Sequence, residues 1–157
     1  MKALRASVLL LVALSCTPRE EAPRFDLKTL FYAAPTDVDK AFGKPTGGSI
    51  ITQTDQIPGE HREYDYAPEN KHVLARFFRN KCVMIQIELP RRYDDALEAL
   101  RSMGIDASSI SPMVEAPAAT RWTAKVGGTI FKDVAAINSS MDGSSGFDTV
   151  QFELAEP

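Results

Sequence analysis

The chain has 157 residues, of which 44% are hydrophobic and 25% charged, and 18 basic against 21 acidic side chains give it a formal net charge of −3. That size supports one domain, or two small packed halves, around a substantial core, and the composition does not call for disorder. The mild acidity excludes nucleic acid as an expected partner, and two cysteines, Cys16 and Cys82, exclude a disulfide scaffold.

Lys2 and Arg5 precede an unbroken apolar run from Val8 to Leu14, which ends at Ser15 and Cys16. The run is far shorter than the roughly 20 residues that span a bilayer as a helix, so it reads as an export signal over residues 1–15. Ala13, Leu14, Ser15 and Cys16 resemble the lipobox of bacterial lipoproteins. The resemblance implies that Cys16 becomes the first mature residue and carries lipid, palmitate included, so that the first partner of the chain is membrane lipid. Plain secretion with cleavage nearby is the alternative. Thr17, rather than an aspartate, follows the cysteine, which by the same resemblance favours the outer membrane, facing the periplasm. Removing 15 residues from 157 leaves 142, and loss of Lys2 and Arg5 takes the charge from −3 to −5. Residues 16–24 form a lipidated tether in which TPREEAPR offers prolines and charges but no apolar period.

The folded domain is expected over 25–157, with a first unit over 25–90 and a second over 91–157. Phe25 to Ala33 allow a helical turn or two. A better helix follows, with Thr36 as its cap, Asp37 and Asp39 in the positively polarised first turn, and Val38, Ala41 and Phe42 on one face. Gly43 and Pro45 stop it. Four strands are expected near 48–54, 61–66, 72–78 and 82–89, separated by the turn sequences IPGE, APENK and RNK, which predicts an antiparallel meander. In HREYDY, Arg62, Tyr64 and Tyr66 share the core side, and His61, Glu63 and Asp65 the other.

The next hairpin has two candidate faces. Val73, Ala75 and Phe77 on one strand and Val83, Ile85, Ile87 and Leu89 on the other are apolar and belong in the core. A three-residue turn, Arg79 to Lys81, pairs Phe77 with Val83 and Ala75 with Ile85, with Asn80 or Lys81 left-handed. That register leaves Leu74, Arg76, Phe78, Met84 and Gln86 together on the outer face, flanked by His72 and Glu88. Such a mixed patch is either the site for a protein partner or the seat of the second unit.

A second helix is expected from Asp94 to Met103, with Asp95 and Glu98 as a capping box, Ala96, Leu97, Leu100 and Met103 on one face, and Gly104-Ile105 as a Schellman stop. Residues 106–119 read as a connection to the far side of the sheet. Strands return at Thr120 to Val126, at Thr129 to Ile137 after a Gly127-Gly128 turn, and at Phe147 to Leu154 after the flexible loop SSMDGSSG. Thr120, Trp122, Ala124 and Val126 share the core face. The fold class is α+β, an antiparallel sheet with two short helices packed on one face, in two helix-plus-meander units.

The run TDVDKAFGKP, the tyrosine- and phenylalanine-bearing strands after it, and the turn FFRNKCV are similar to the helix-then-meander domain of the small lipoprotein of the outer-membrane barrel-assembly machine. The β-lactamase inhibitor protein uses the same unit twice. The resemblance covers residues 25–89 and returns over 93–154, where ALEALRSMG stands for the second helix. It implies a protein-interaction module, or an inhibitor or ligand-binding lipoprotein that works with its open sheet face.

The residues offer little chemistry to set against that. His61, Glu63, Asp65 and His72 can be drawn as metal ligands, but polar alternation on a solvated sheet face is the ordinary outcome, and no metal is expected. No serine or cysteine stands beside a base and no phosphate loop follows a strand, so neither catalytic residues nor a cofactor are expected; an envelope hydrolase is the remote third reading. Arg76, Arg79, Lys81, Arg91 and Arg92 read as a charge-protected hairpin rather than a headgroup site. Cys82 reads as a small buried residue. The expected function is non-catalytic: a membrane-anchored lipoprotein of the bacterial cell envelope that binds an envelope protein through its sheet or an edge strand. Cys16→Ala is expected to release the protein from the membrane fraction, and mass spectrometry of the exported chain is expected to find lipid on Cys16. An unmodified N-terminus at another residue contradicts this.

Overall fold

The computed structural model describes residues 26–51, 59–68, 71–126, 128–140 and 144–155. The leader over 1–15, Cys16, the tether over 16–24 and the end of the first expected strand at 52–54 lie outside these residues.

The chain opens with α1, a single turn over Leu27–Leu30, and α2 over Pro35–Phe42. Thr36 is not the cap of α2. Ala34 is, in extended conformation and with no side-chain hydrogen bond, and Pro35 takes the first helical position. Proline suits that position because its missing N–H has no intrahelical partner there and its ring presets φ. Gly43, at φ +85°, ends the helix. Val38 and Phe42 are buried, whereas Ala41 is exposed, so the buried stripe is narrower than expected.

Four strands follow as an antiparallel meander: β1 Gly47–Ile51, β2 His61–Tyr66, β3 Val73–Phe78 and β4 Lys81–Tyr93. After α3, Ala96–Ser102, come β5 Val114–Ala116, β6 Ala119–Val126, β7 Thr129–Ile137 and β8 Phe147–Leu154. All eight strands form one antiparallel sheet in the order β1-β2-β3-β4-β8-β7-β6-β5. Each half is a helix followed by a four-strand meander, and the halves meet where β4 pairs with β8. The architecture is α+β as the sequence predicts. α2 and α3 pack on the same face, contributing Val38, Phe42, Ala96, Ala99 and Leu100 to one apolar cluster with Tyr66, Val73, Ala75, Ile85, Ile87, Trp122, Val134, Val150 and Phe152.

Local chemistry fixes these elements. The Asp95 carboxylate caps α3 by accepting the Glu98 N–H at 3.0 Å. At the other end Gly104 is left-handed, the Ile105 N–H reaches the Leu100 carbonyl at 3.1 Å, and the Gly104 N–H reaches that of Arg101 at 2.9 Å, a Schellman motif with Ile105 buried beneath it. In β2 His61, expected on the solvated side, is buried and Arg62, expected on the core side, is exposed, whereas Tyr64 packs against the core and Tyr66 is fully buried, as expected. The Tyr66 hydroxyl donates to Asp39 at 2.8 Å, which ties α2 to the sheet. The N-terminal segment crosses to the other half: the Phe31 ring meets Phe131 edge-on at 4.8 Å. The backbone of residues 32 and 33 bonds both polar groups of Cys82, with Tyr32 N–H to the Cys82 carbonyl and Cys82 N–H to the Ala33 carbonyl, each at 2.9 Å. Burial pushes the Cys82 thiol up to about 12, so it stays protonated and packs as a small apolar group.

Three readings change. The β3–β4 turn has two residues, Arg79 and Asn80, both left-handed at φ 50° and 61°, and Phe78 faces Lys81 while Phe77 faces Cys82. Such a turn matches the right-handed twist of its strands. Val83 is then an inserted residue, a bulge that restores the pairing of Ala75 with Ile85. The core faces of both strands survive, but Val83 leaves the shared apolar cluster. Secondly, β4 runs on to Tyr93 through an irregular stretch, with residues 89–92 lying between the pairs Glu88↔Thr149 and Tyr93↔Phe147. Pro90 has no N–H to give to a ladder there. Thirdly, the expected 106–119 connection contains β5, which forms a hairpin with β6.

Trp122 is 2% exposed and faces Val134 across the ladder. Trp122→Ala is expected to lower stability by about 3 to 5 kcal/mol in chemical denaturation. A loss under about 1 kcal/mol contradicts its place in the core.

Candidate functional site

The ladder registers set the side chains of the face opposite the helices in rows. One row crosses five strands as Glu63, Arg76, Met84, Glu153 and Asp133; the next runs Asp65, Leu74, Gln86, Gln151, Ala135 and Arg121. Leu74, Arg76, Phe78, Met84 and Gln86 therefore all point away from the helices. The second unit does not sit on them, because its strands continue the same sheet beyond β4.

The face is polar and its charges are mutually engaged. Arg76 Nε donates to Glu63 at 2.7 Å, and its Nη1 lies 3.7 Å from Glu153, which also takes Lys132 Nζ at 3.1 Å. Arg76 spans from β2 to β8 across Met84, which is 1% exposed. Further along, Asp133 pairs with Arg121 and accepts from Gln151 at 3.1 Å. Lys132 reaches Glu153 because β7 carries one extra residue against both neighbours at this point. Of the five patch residues, Leu74, Arg76, Phe78 and Gln86 are half-buried, while Met84 is buried beneath them.

The other residues singled out from the sequence do not converge. His61 is buried and stacks on Phe78 with ring centroids 4.8 Å apart, while His72 pairs with Asp65 at 3.1 Å. No group of three or more His, Cys, Asp or Glu among the described residues can hold a metal ion. The expected basic cluster is dispersed: Arg76 belongs to the face, Arg79 lies over Phe78, and Arg91 lies over Tyr93. Arg92 fastens the ends of the loop written as SSMDGSSG, donating to Ser140, Ser144, the Ser145 carbonyl and Asp148. Asp148 also accepts the Ser139 N–H at 2.9 Å, and these bonds, against its burial, hold its carboxyl below the usual range. Gly146 closes this clamp at φ +96°, and a Cβ there would lie 2.8 Å from both the Arg92 side chain and the Tyr93 carbonyl.

A second candidate surface was not legible in the sequence. The edge strand β5 and the loop before it expose Ile110, Met113 and Val114 at 36%, 58% and 47%. Between β5 and α3 lies an open groove of about 710 Å³ whose lining includes Trp122 and Phe147. The one local signal was Val-Glu-Ala ahead of Pro117-Ala118, a hairpin hidden in a Ser-, Pro- and Ala-rich run.

No protein-family model and no curated protein matches the chain. Among solved structures it is similar to a cysteine-rich secretory protein from Staphylococcus aureus, with a TM-score of 0.44 and 15% identity. That match covers 84% of this chain and 47% of the other, so the chain spans about half of that protein's length. A likeness this loose carries no argument about function.

Burial lifts the Asp133 carboxyl above its ordinary range, against the pull of Arg121. A carboxyl raised in the folded state holds its proton more tightly there than in the unfolded chain. Its contribution to stability is therefore present at low pH and lost as pH rises through the window just above the ordinary 3.8. Urea midpoints measured from about pH 3 to about pH 7 are expected to show this falling component in the parent and not in Asp133→Asn. Parallel profiles contradict the assignment.

Proposed function

We propose that this chain is a lipoprotein of the bacterial cell envelope, held by lipid on Cys16 at the outer membrane, and that it acts without catalysis as an interaction module for another envelope protein. The export signal and the Ser15-Cys16 junction support the address. The observation that carries the activity is the sheet face opposite the helices, on which no described helix packs. Leu74, Phe78 and Gln86 stand there beside charges whose positions are fixed by their own ion pairs. Side chains already held in one geometry lose little entropy when a partner arrives. Their alternating signs select a partner by complementary charge rather than by apolar area. A second reading, an inhibitor or ligand-binding lipoprotein, is favoured by the groove between α3 and β5.

The test is site-specific photocrosslinking in intact envelopes, with the probe at Leu74 or Gln86 on the open face, or at Ala41 on the exposed side of α2. One discrete protein adduct from the first two positions and none from the third is the expected result. Absence of an adduct at 74 and 86, or the same adducts at 41, removes the open face as the interaction site.

A further inference from the structure

The chain has five methionines, and those among the described residues sit in different surroundings. Met84 is 1% exposed beneath Arg76, and Met103 at the end of α3 is half-buried against the core cluster. Met113, directly ahead of β5, is 58% exposed. Its N–H reaches the Arg121 carbonyl at 2.8 Å, which continues the β5–β6 hairpin and fixes its backbone. Across that hairpin Thr123 of β6 brings its hydroxyl to 2.9 Å from the Met113 sulfur, and the same hydroxyl reaches the Lys132 carbonyl of β7 at 3.2 Å. A single O–H proton is thus shared between a good acceptor and a poor one, since a thioether sulfur accepts only weakly.

An exposed thioether is open to oxygen transfer from a hydroperoxide. A sulfur lone pair attacks one peroxide oxygen and the O–O bond breaks. That oxygen stays on sulfur as the sulfoxide, its proton passes to the departing hydroxide, and water leaves; sulfur undergoes a two-electron oxidation and the peroxide the matching reduction. Negative charge builds on the oxygens in the transition state, where a hydroxyl held beside the sulfur donates to it. The sulfoxide oxygen then offers Thr123 a far stronger acceptor than the thioether did. We propose that Met113 is a sulfoxidation site for hydrogen peroxide and small hydroperoxides, with the Thr123 hydroxyl positioned to speed oxygen transfer to its sulfur. Oxidation turns an exposed apolar side chain next to Val114, itself 47% exposed, into a polar one, and so changes the chemistry of the free edge of the sheet.

The test treats the whole chain with hydrogen peroxide, with N-acetylmethionine amide in the same solution as an internal standard, and follows each methionine by peptide-mapping mass spectrometry. Met113 is expected to oxidise ahead of Met84 and Met103. Thr123 is exposed, and valine keeps its branched shape without the hydroxyl. Thr123→Val is expected to slow Met113 about threefold relative to the standard, while Met84 and Met103 keep their parental rates. Thr123→Ser, which retains a hydroxyl, is expected to keep the parental rate at Met113. A purely structural role for Thr123 gives a different pattern, because a loosened hairpin exposes Met113 further and speeds its oxidation. The proposal is overturned if Met84 or Met103 oxidises before Met113, if Met113 reacts as fast or faster in Thr123→Val, or if Thr123→Ser is as slow as Thr123→Val.

Discussion

The pairing of β4 with β8 is the constraint on which the rest of the structure depends. It sets Ile85 against Phe152 and Ile87 against Val150 on the helical face, all four fully buried. On the other face it sets Gln86 against Gln151 and Met84 against Glu153. One ladder thereby merges two cores and two open faces. Each half alone would present a four-stranded sheet with a long unpaired edge at β4 or β8, the kind of edge that folded proteins cover. Joined, they leave as outer edges only β1 and β5, of 5 and 3 residues. The rings of Phe31, Phe131 and Phe152 reinforce the junction, and the backbone of residues 32 and 33 occupies the Cys82 backbone beside it.

Irregularities in the ladder decide which side chains meet on the open face. The inserted Val83 lets a tight two-residue turn coexist with the pairing of Ala75 and Ile85, so that Met84 returns to the open face under Arg76. The extra residue in β7 brings Lys132 to Glu153 and leaves Asp133 beside Arg121 and Gln151. A bulge adds one residue to one strand and so shifts side-chain parity locally. The chain of ion pairs from Glu63 to Lys132 is the product of two such shifts.

What the sequence reveals and what it hides divide along this line. Punctuation carried by one or two residues was legible: the Asp95 and Glu98 pairing, the Gly104-Ile105 stop, the core side of Tyr64 and Tyr66 in HREYDY, and the outward set Leu74, Arg76, Phe78. Hidden features needed knowledge of a neighbouring strand. Apolar alternation puts Val83 in line with Ile85, and nothing in the segment itself signals the insertion. Thr36 looks like a cap, but Pro35 in the first helical position moves the helix start back to Ala34. The groove joins α3, residues 107–112, β5 and Trp122 across the sheet, and no local pattern encodes that juxtaposition. Cys16 and the leader rest on sequence alone.

A face that spans both halves is one surface only if the halves fold as one, which makes the β4–β8 ladder the point at which to test the account. Native-state hydrogen exchange across a denaturant series measures it directly. The ladder amides of β3, β4, β7 and β8 are expected to converge on a single opening free energy, equal to that of global unfolding. Two separate isotherms, one for β3 and β4 and another for β7 and β8, would show that the halves unfold independently and would contradict the continuous sheet.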